Sequence, residues 1–513
     1  MTFRELRTQF SYKVIKGNDR RYISSVTDDS RKTEPDGIFV CLSGPCEGGE
    51  DYAREAAGRG AACIVAGPEL CGLLKKNWRE PGPALIETED VRAALADLAA
   101  AWNGRPAERL EIIGITGTKG KTTTAFMLRG ILERSGRKTG LIGTNGVWTG
   151  REHRSLRNTT PGALLLQELL AEMVREGCTH VVMEVSSQAL KQQRTAGIRF
   201  AWGIYTNLSP DHIGAGEHAD FNEYKACKMK LFGQSRRALL NGDDRYADEM
   251  SQAFSGVPLV ARTEPEKGHL CDYARRLQVF GRADYRASQI RLWREPGVFG
   301  VRFWITGRFG KMECRTPLPG RFSVQNALLA ASCALECGVR PEDVQKALED
   351  VRIKGRTEVV WQDETKTVLI DYAHNAVSLQ SVLCTLRSYS PRRLVCLFGC
   401  GGDRDHERRE QMGEVSARFA DLSIITEDNS RTEDPKQIIG EILSGIHRGS
   451  GFYRVIPDRK DAIRYALTNA KRGDVILLAG KGHEDYQETG GIRRPFSEHA
   501  LVKEICQEER RNT

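Results

Sequence analysis

The strongest candidate for chemistry in this sequence is the glycine-rich stretch ITGTKGKTTT, from Ile115 to Thr124. It follows a predicted strand and opens a predicted helix, which is the setting that a phosphate-binding loop requires. Gly117 and Gly120 permit a tight turn, so that backbone N–H groups face an anion at the helix N-terminus. Lys121 is suited to neutralise the β- and γ-phosphates, and the Thr122 hydroxyl to complete a Mg²⁺ shell. Ile115 replaces the first glycine of the strict pattern, so the loop is a GTxGKT variant.

Further along the chain, other side chains could accompany a nucleotide-bound metal. Glu184 ends the apolar run of VVMEVSS, where a carboxylate is poorly solvated without a cation. The segment TNLSPDHIGAGEHADFNEYKACK offers Asp211, His212 and Lys228. Histidine and carboxylates near a phosphate site suit Mg²⁺ that is bound partly by protein and partly by phosphate. A phosphate loop by itself fits motors, kinases, GTPases and ligases, so the accompanying residues decide the class.

The elements that must position these residues follow an α/β pattern. At 513 residues the chain is too long for one ordinary domain. Three regions are predicted, with boundaries at residues 1–105, 106–352 and 353–513. The first closes with VRAALADLAAAW, an apolar stripe at helical spacing, and the polar NGRPAER follows as a linker. In the other two, strands alternate with helices of ten or more residues, which predicts parallel βαβ units.

Composition excludes several classes of protein. The net charge of +8 is spread over both signs, so no basic stripe of a nucleic-acid binder is present. No apolar run is long enough to span a bilayer, and MTFRELRTQF lacks the signal-peptide pattern, so we expect a cytoplasmic protein. The 14 cysteines include no CxxC pair. Cys333/Cys337 and Cys396/Cys400 stand in apolar stretches, and we interpret them as buried, reduced thiols.

Taken together, the motifs resemble those of the Mur ligases. In order, the chain carries ITGTKGKTTT, MEVSS, TNLSPDH, EYKACK, LPGRFSVQNAL, GRTE, DYAH, FGCGGDRD and AGKGHEDY. The resemblance implies an α/β protein of three domains. A central P-loop-type parallel-sheet ATPase domain would be flanked by a UDP-substrate-binding N-terminal domain and a Rossmann-like, amino-acid-binding C-terminal domain.

The resemblance also implies a reaction. The motifs are similar to those of the ligases that add meso-diaminopimelate to UDP-N-acetylmuramoyl-L-alanyl-D-glutamate in peptidoglycan synthesis. ATP phosphorylates the glutamate side-chain carboxylate, and the incoming amine attacks the acyl phosphate. L-lysine or another diamino acid stays open as the added residue. The implied partners are the UDP-muramoyl dipeptide, a diamino acid and ATP with Mg²⁺. We expect a monomer without nucleic-acid or membrane partners.

Family roles carry over to matching positions of this sequence. The triphosphate would be held by Gly117, Thr118, Lys119, Gly120, Lys121, Thr122 and Thr123, and closed over by Asn326, Arg356 and Asp371. Thr122 and Glu184 would hold one Mg²⁺, and Glu184, His212 and Lys228 a second. A lysine ammonium has no lone pair for a metal, and in the family this lysine carries a carbamate. Lys121, Glu184, His212 and Lys228 are therefore the predicted catalytic residues.

Two substrate sites are implied in the same way. The UDP-muramoyl peptide would contact Ser30, Asn158, Thr159, Thr160, Ser186, Gln192 and Arg194. The amino acid would contact Arg404, Asp428, Asn429, Ser430, Arg431, Gly480 and Glu484. Both Ser430 and Arg431 lie in the stretch TEDNSRTEDP. By the resemblance, Arg431 would pair with the distal carboxylate of the amino acid, and Ser430 stands where diaminopimelate enzymes have proline.

Two other functions would require sequence features different from those of this chain. A folylpolyglutamate synthetase-like ligase lacks a UDP-binding N-terminal domain, whereas this chain has about 105 residues before the phosphate loop. A nucleotide switch without enzymatic activity would not need the set of Glu184, His212 and Lys228.

Overall fold

The computed structural model describes residues 2–6, 9–76, 78, 82–211, 213–214, 217–264, 283–295, 298–449 and 451–512. They form two compact units. The first contains the described residues up to 261 together with 283–284 and 332–339, and the second contains residues 262–264, 285–331 and the chain from 340 onward. Within the described ranges, no helix is both long enough and apolar enough to cross a membrane.

The first unit begins with a five-stranded sheet. Its strands are β1 (Lys13–Lys16), β2 (Val26–Thr27), β3 (Ile38–Val40), β4 (Cys63–Ala66) and β5 (Ala84–Glu87), in the order β1-β5-β4-β3-β2 with β1 antiparallel. Helices α1 (Gly49–Gly58), α2 (Pro68–Lys76) and α3 (Val91–Trp102) follow β3, β4 and β5. The apolar stripe predicted as a helix is α3. Asp90 caps its N-terminus, and the Asp90 side chain accepts a hydrogen bond from the Ala93 N–H at 2.9 Å.

The second sheet of this unit carries the phosphate loop. The strands are β6 (Glu111–Thr116), β7 (Thr139–Gly143), β8 (Gly146–Trp148), β9 (His153–Arg154), β10 (His180–Glu184), β11 (Phe200–Tyr205), β12 (Ser235–Asn241) and β13 (Leu259–Thr263). The helices are α4 (Lys121–Arg134), α5 (Ala163–Arg175), α6 (Ser187–Lys191), α7 (Phe221–Gly233) and α8 (Ala247–Ser251). The order is β13-β12-β11-β6-β10-β7-β8-β9, with β13 to β7 parallel.

The register of this sheet brings three strand ends together. Glu184, the last residue of β10, pairs with Ile115 of β6, and Tyr205, the last of β11, pairs with Thr116. The loop after β6 therefore lies between the ends of β10 and β11. Ligands of open α/β sheets bind at such carboxyl ends.

The second unit starts with three antiparallel strands, β14 (Tyr285–Glu295), β15 (Val298–Gly307) and β16 (Gly310–Thr316). Helices α9 (Arg321–Glu336) and α10 (Pro341–Asp350) follow, and the last residues of α9, from Ser332, are assigned to the first unit. Six further strands form the C-terminal sheet, in the order β17-β18-β22-β19-β20-β21, where only β17 is antiparallel.

The elements of the C-terminal sheet alternate along the chain. They are β17 (Glu358–Gln362), β18 (Lys366–Asp371), α11 (Ala376–Ser388), β19 (Arg393–Phe398), α12 (Glu407–Phe419), β20 (Leu422–Ile425), α13 (Pro435–Ile446), β21 (Phe452–Val455), α14 (Arg459–Thr468) and β22 (Asp474–Ala479). The hairpin of β23 (Tyr486–Thr489) and β24 (Ile492–Pro495) and the helix α15 (Glu498–Asn512) end the chain.

Helices cover both faces of the C-terminal sheet. Along β18, Leu369 packs into one apolar cluster with α11, α12 and α13, whereas Val368 and Ile370 pack into another with α14 and α15. Successive strand residues point to opposite faces, so both faces are buried. The predicted α/β class is confirmed, because the N-terminal, central and C-terminal regions each have their own mainly parallel sheet, although the first two belong to one compact unit.

Candidate active site

The phosphate loop turns on its two glycines. Gly117 has φ +147° and Gly120 has φ +86°, and a Cβ at Gly117 would lie 1.9 Å from the Thr206 Oγ1. Lys121 starts α4, and its Nζ donates to the carbonyls of Gly117 at 2.8 Å and Thr118 at 3.0 Å. The helix N-terminus and the Lys121 ammonium thus lie at the same turn, which is a suitable place for a phosphate.

Two residues after β11 fix the shape of this loop. The Asn207 carbonyl accepts from the Thr118 N–H at 2.8 Å, and its Oδ1 accepts from the Lys119 N–H at 2.9 Å. Thr206 Oγ1 and Asn207 Nδ2 both donate to the Lys119 carbonyl, at 2.6 and 3.0 Å. Thr206 and Asn207 belong to the motif TNLSPDH, but no role was predicted for them; they hold the loop from the neighbouring strand.

Glu184 is almost fully buried, with 1% of its surface exposed, at the end of β10. Thr122 Oγ1 and Thr144 Oγ1 donate to its Oε2 at 3.0 and 3.1 Å, and the Thr144 N–H donates to its Oε1 at 2.9 Å. A buried carboxylate with two hydroxyls beside it supplies the hard oxygen ligands that Mg²⁺ prefers. The residues present therefore fit the magnesium site predicted at Thr122 and Glu184.

Lys228 on α7 is buried next to the same loop, with 1% of its surface exposed. Its Nζ donates to the Gly117 carbonyl at 2.8 Å and lies 4.5 Å from the centre of the Tyr224 ring. Burial, with the nearby Lys121 ammonium, holds the pKa of Lys228 well below its usual value. The amine is therefore easier to deprotonate than an exposed lysine.

The histidine and aspartate predicted near this site have different outcomes. His212 lies outside the described residues. Asp211 is described, and its Oδ2 lies 3.3 Å from the Lys119 Nζ at the phosphate loop. The structure therefore brings Lys121, Thr122, Glu184, Lys228 and Asp211 to one end of the sheet.

Five of the residues predicted for the UDP-muramoyl peptide form one connected group. Thr160 Oγ1 donates to the Glu184 carbonyl at 2.8 Å, and the Ser186 N–H donates back to that hydroxyl at 3.0 Å. Arg194 donates to the Thr160 carbonyl at 2.6 Å and to Gln192 Oε1 at 2.7 Å. Thr159 Oγ1 lies 3.0 Å from Thr144 Oγ1, so this group reaches the carboxylate of Glu184.

The other two residues of that prediction lie apart from this group. Asn158 is exposed, next to Thr159. Ser30 is buried in the N-terminal domain, where it follows Asp29, and its hydroxyl donates to Glu55 Oε2 of α1 at 2.6 Å. The hydroxyl of Ser30 thus has a partner within its own domain.

The residues predicted to close over ATP lie in the second unit. Asn326 precedes the C-terminal domain, Arg356 lies at its start, and Asp371 lies within it. Asn326 is buried in α9. The Asp371 carboxylate, at the end of β18, accepts from the N–H groups of Thr357 and Ala373, each at 2.7 Å. Burial raises the pKa of Asp371, against the opposing effect of Arg356, whose guanidinium carbon lies 5.0 Å from the Tyr372 ring centre.

The predicted amino-acid pocket lies at the carboxyl ends of β20 and β22. Asn429 Nδ2 donates to Glu484 Oε2 at 2.8 Å, and its Oδ1 accepts from Lys481 Nζ at 2.9 Å. Lys481 is fully buried and lies 3.5 Å from Asp428 Oδ1 and 3.6 Å from Glu484 Oε2. Lys481 was missed, although its motif AGKGHEDY had been singled out.

Charges in this pocket act on one another. Burial and the nearby Asp428 raise the pKa of Glu484. Burial also raises the pKa of Asp428. The positive charges of Lys481 and Arg459 lower that pKa by more, so it lies below the usual value. Arg459 is fully buried, and it pairs with Glu498 at 2.8 Å and donates to the carbonyls of Glu427 and Ala479.

Arg431 has a left-handed backbone, with φ +51°. Its N–H donates to the Glu488 carbonyl at 3.1 Å, and its guanidinium donates to the Gly402 carbonyl at 2.6 Å. Ser430 is 1% exposed, and the Glu433 N–H donates to its carbonyl at 3.0 Å. Backbone bonds therefore hold this loop at Ser430 and at Arg431.

Gly480 and Arg404 complete the predicted set. Gly480 has φ +113°, and a Cβ there would lie 2.6 Å from Asp428 Oδ2, so only glycine fits beside this carboxylate. Arg404 is exposed, and the neighbouring Asp403 N–H donates to Glu433. Arg404 is therefore the member of the set that lies on the surface.

Two motif glycines cross at close range beside this pocket. A Cβ at Gly355, which precedes Arg356, would lie 2.2 Å from the Gly482 carbonyl carbon. A Cβ at Gly482 would lie 2.7 Å from the Tyr372 Cβ. Both glycines have positive φ, +69° and +54°. The motifs GRTE and AGKGHEDY thus meet at a backbone contact that leaves no room for side chains.

Comparison with known proteins gives consistent matches. The Mur ligase middle domain matches residues 115–334, and the glutamate ligase domain of Mur ligases matches residues 355–482. The UDP-N-acetylmuramoyl-L-alanyl-D-glutamate–2,6-diaminopimelate ligase of Caldanaerobacter subterraneus subsp. tengcongensis is 39% identical over 498 residues, which cover 96% of this chain and 97% of that protein.

Solved structures show the same fold. A structure described as a UDP-N-acetylmuramoyl-L-alanyl-D-glutamate–2,6-diaminopimelate ligase matches with a TM-score of 0.68 and 27% identity, over 99% of both chains. The folylpolyglutamate synthase of Mycobacterium tuberculosis, solved with ADP and AMPPCP, has a TM-score of 0.58 and 18% identity. It covers 74% of this chain, and 91% of its own length is matched.

Proposed function

The chain belongs to the Mur ligase family, and on that premise we propose that it adds meso-diaminopimelate to UDP-N-acetylmuramoyl-L-alanyl-D-glutamate at the expense of ATP. The observation that carries this proposal is the similarity to a ligase of that name over 96% of the chain. The folylpolyglutamate synthase covers a smaller share of the chain, which favours the UDP-substrate reaction over that rival.

The chemistry begins with the carboxylate of the D-glutamate side chain, which is a poor electrophile. Transfer of the γ-phosphoryl group makes one carboxylate oxygen a leaving group as an acyl phosphate. The amine then attacks the carbonyl carbon, and the tetrahedral intermediate expels phosphate. We assign the triphosphate to the loop at Gly117–Thr123, where Lys121 neutralises charge on the phosphates during transfer.

Thr122 and Glu184 would hold one Mg²⁺, and Glu184, His212 and a carbamate on Lys228 the second. When bound, these ions neutralise negative charge on the transferring phosphoryl group. Lys228 gains a carbamate when its neutral amine attacks CO₂ and loses a proton, which replaces a cation by an anion with two oxygens. The burial of Lys228 supports this assignment, because it favours the neutral amine.

The two substrate pockets have different tasks. Thr160, Ser186, Gln192 and Arg194 orient the muramoyl peptide next to the metal ligand Glu184. In the C-terminal domain, Arg431 pairs with the distal carboxylate of the amino acid and Glu484 accepts its distal ammonium. A guanidinium offers two parallel N–H donors to a carboxylate. L-lysine has no carboxylate at its distal end, so it cannot form this pair.

The experiment is a measurement of phosphate release from ATP with each substrate omitted in turn. The ligase releases phosphate only when the UDP-muramoyl dipeptide and the amino acid are both present. Release with ATP alone would contradict the proposal. Competition between meso-diaminopimelate and L-lysine then identifies the added residue, and preference for L-lysine would leave the ligase assignment but not the proposed amino acid.

A further inference from the structure

A histidine, a carboxylate and a thiol lie together at the start of α7, and none of the three is assigned to the ligase reaction. They belong to His218, which precedes the helix, and to Glu223 and Cys227 within it. One ligand atom of each side chain lies within 4.8 Å of the other two. His218 is fully buried and Cys227 is 4% exposed, whereas the Glu223 side chain is 33% exposed. The cluster is therefore enclosed by protein except at the carboxylate, where it is open to solvent.

The local backbone brings the three side chains together. Asp220 caps α7, and its Oδ1 accepts from the Glu223 N–H at 2.8 Å. Glu223 and Cys227 are four residues apart and so lie on one face of the helix. The Ala219 N–H donates to Glu223 Oε2 at 2.7 Å, and His218 Nδ1 faces the same oxygen at 3.8 Å. The turn before the helix thus places the imidazole over the face that carries the carboxylate and the thiol.

Neighbouring side chains orient the imidazole and the carboxylate. The Ser187 hydroxyl on α6 lies 2.9 Å from His218 Nε2 and can accept the proton of that nitrogen, which puts the imidazole lone pair at Nδ1. Lys191 Nζ pairs with Glu223 Oε1 at 2.8 Å, and the other oxygen, Oε2, is the one beside His218. A histidine that binds a metal is usually held in this way by a hydrogen bond on its second ring nitrogen.

From this set of donors we propose that His218, Glu223 and Cys227 form a binding site for one Zn²⁺ ion, with water as the fourth ligand. Zinc takes imidazole nitrogen, thiolate sulfur and carboxylate oxygen together, whereas Mg²⁺ takes oxygen ligands and would leave the thiol unused. Cys227 binds as a thiolate and releases its proton to solvent. One thiolate and one carboxylate then balance the two charges of the ion, and the water binds on the side where Glu223 is exposed.

The spacing of the ligand atoms fits a tetrahedral ion after a small contraction. Zinc bonds of about 2.0–2.3 Å place two ligand atoms roughly 3.3–3.6 Å apart in a tetrahedral site. His218 Nδ1 and Glu223 Oε2 lie 3.8 Å apart, which is too long for a hydrogen bond but close to this separation. Because all three atoms lie within 4.8 Å of one another, no pair has to approach by more than about 1.5 Å.

Cysteines elsewhere in the chain have different surroundings. Cys333, Cys396 and Cys400 are buried, as predicted. Cys337 is only partly buried, so the prediction of a buried thiol is wrong there. Among the described residues, Cys227 is the cysteine that lies with a histidine and a carboxylate at the spacing of metal ligands. A metal signal that requires a thiolate should therefore come from Cys227.

The test is a titration of the full chain with Co²⁺, which replaces Zn²⁺ in tetrahedral sites and has a visible spectrum. Excess Mg²⁺ keeps the proposed magnesium sites filled. One Co²⁺ per chain should give tetrahedral d–d bands together with a charge-transfer band from a thiolate, and one equivalent of Zn²⁺ should abolish both. Absence of the charge-transfer band, or a band that Zn²⁺ does not remove, would overturn the proposal. None of these measurements depends on ligase turnover.

Two variants locate the ion within the chain. Cys227→Ala should remove the charge-transfer band, and Glu223→Gln, at the exposed side of the cluster, should weaken Co²⁺ binding at least about tenfold because an amide oxygen carries no charge. Cys384→Ala removes an exposed cysteine elsewhere and should leave the spectrum unchanged. If Cys227→Ala does not fold, Glu223→Gln decides the question. An unchanged band in Cys227→Ala, or unchanged affinity in a folded Glu223→Gln variant, would overturn the assignment.

Discussion

The carboxyl ends of the central sheet and of the C-terminal sheet both hold charged side chains, but they balance these charges differently. Lys121 and Lys228 are bonded to backbone carbonyls, and Glu184 to hydroxyls and a backbone N–H. In the C-terminal sheet, the carboxylates of Asp428 and Glu484 share the buried Lys481. The second region thus contains a cluster of ion pairs around Lys481, whereas Lys228 and Glu184 in the first region form hydrogen bonds with neutral groups. Substitutions should therefore lower turnover in the first region and affect stability and recognition in the second.

The largest effect is expected for Lys121→Ala. Its ammonium lies at the turn of the phosphate loop and donates to two backbone carbonyls there, so its loss should lower turnover about 10³-fold or more while the fold stays intact. Calorimetry should still detect binding of the UDP-muramoyl dipeptide, because the residues proposed for it remain. If a folded Lys121→Ala variant lost both turnover and binding of the UDP-muramoyl dipeptide, the separation of the phosphate loop from the dipeptide site would be contradicted.

Lys481→Met tests the other region. Removing one partner of a buried ion pair leaves uncompensated charge and costs about 3–5 kcal/mol. We expect a lower free energy of unfolding together with a higher KM for the amino acid. Lys503→Met, an exposed lysine on α15, is the matched control. Unchanged stability of Lys481→Met would remove the contrast between the two regions.

Lys228→Ala should be nearly inactive, about 10²–10³-fold below the wild type, if the carbamate holds the second metal. Short carboxylates such as formate or acetate should restore part of the turnover, because they can supply the missing oxygens. Lys230→Ala, on the same helix but exposed, should behave as the wild type. Full activity of Lys228→Ala without added carboxylate would exclude this lysine from the site.

Arg431→Ala should raise the KM for meso-diaminopimelate at least about thirty-fold, because the loss of one partner of a charge-assisted pair costs about 2 kcal/mol or more. Use of L-lysine should change little, since it lacks the distal carboxylate. Arg431→Lys keeps the charge without the two parallel donors and should lie between. If the wild type prefers L-lysine, Ser430 becomes the first position to examine.

The smallest effect concerns pH. Burial, with Arg356 and Lys354 nearby, lowers the pKa of His483 to about 4. The unfolded chain then binds more protons than the folded one below about pH 6.5, so stability falls as the pH falls. Between pH 7 and 5 the loss should be roughly 2 kcal/mol, and His483→Gln should abolish this part of the pH dependence. An identical pH profile of melting temperature in both proteins would contradict the lowered pKa.

Local patterns were enough to predict much of the fold. The apolar stripe of α3 and the strands β18, β19, β20 and β22 stand out because parallel strands buried on both faces are continuous apolar runs. The strand–loop–helix order also placed Thr122 at the start of a helix, and the apolar run placed Glu184 at the end of a strand. The family resemblance then predicted that the two residues hold one metal ion. The structure brings these residues together, while the roles of the individual site residues stay predictions.

Other features could not be predicted, for physical reasons. β14 has an irregular register between Ser288 and Arg291, and Gln289 has φ +52°, so the alternation that marks a strand is interrupted. Thr144, Asn207 and Lys481 act on residues far away in sequence. Their role depends on which strand ends meet, and a motif does not contain that information.

The crossing of Gly355 and Gly482 has an evolutionary consequence. A side chain at either position would place its Cβ within 3 Å of other heavy atoms, and the backbone φ there is positive. Mutation at one position therefore cannot be compensated by mutation at the other. We therefore expect glycine at both positions in relatives that keep this crossing. A change in the accepted amino acid is then expected at side chains such as Ser430 and Arg431, because the crossing itself leaves no room for substitution.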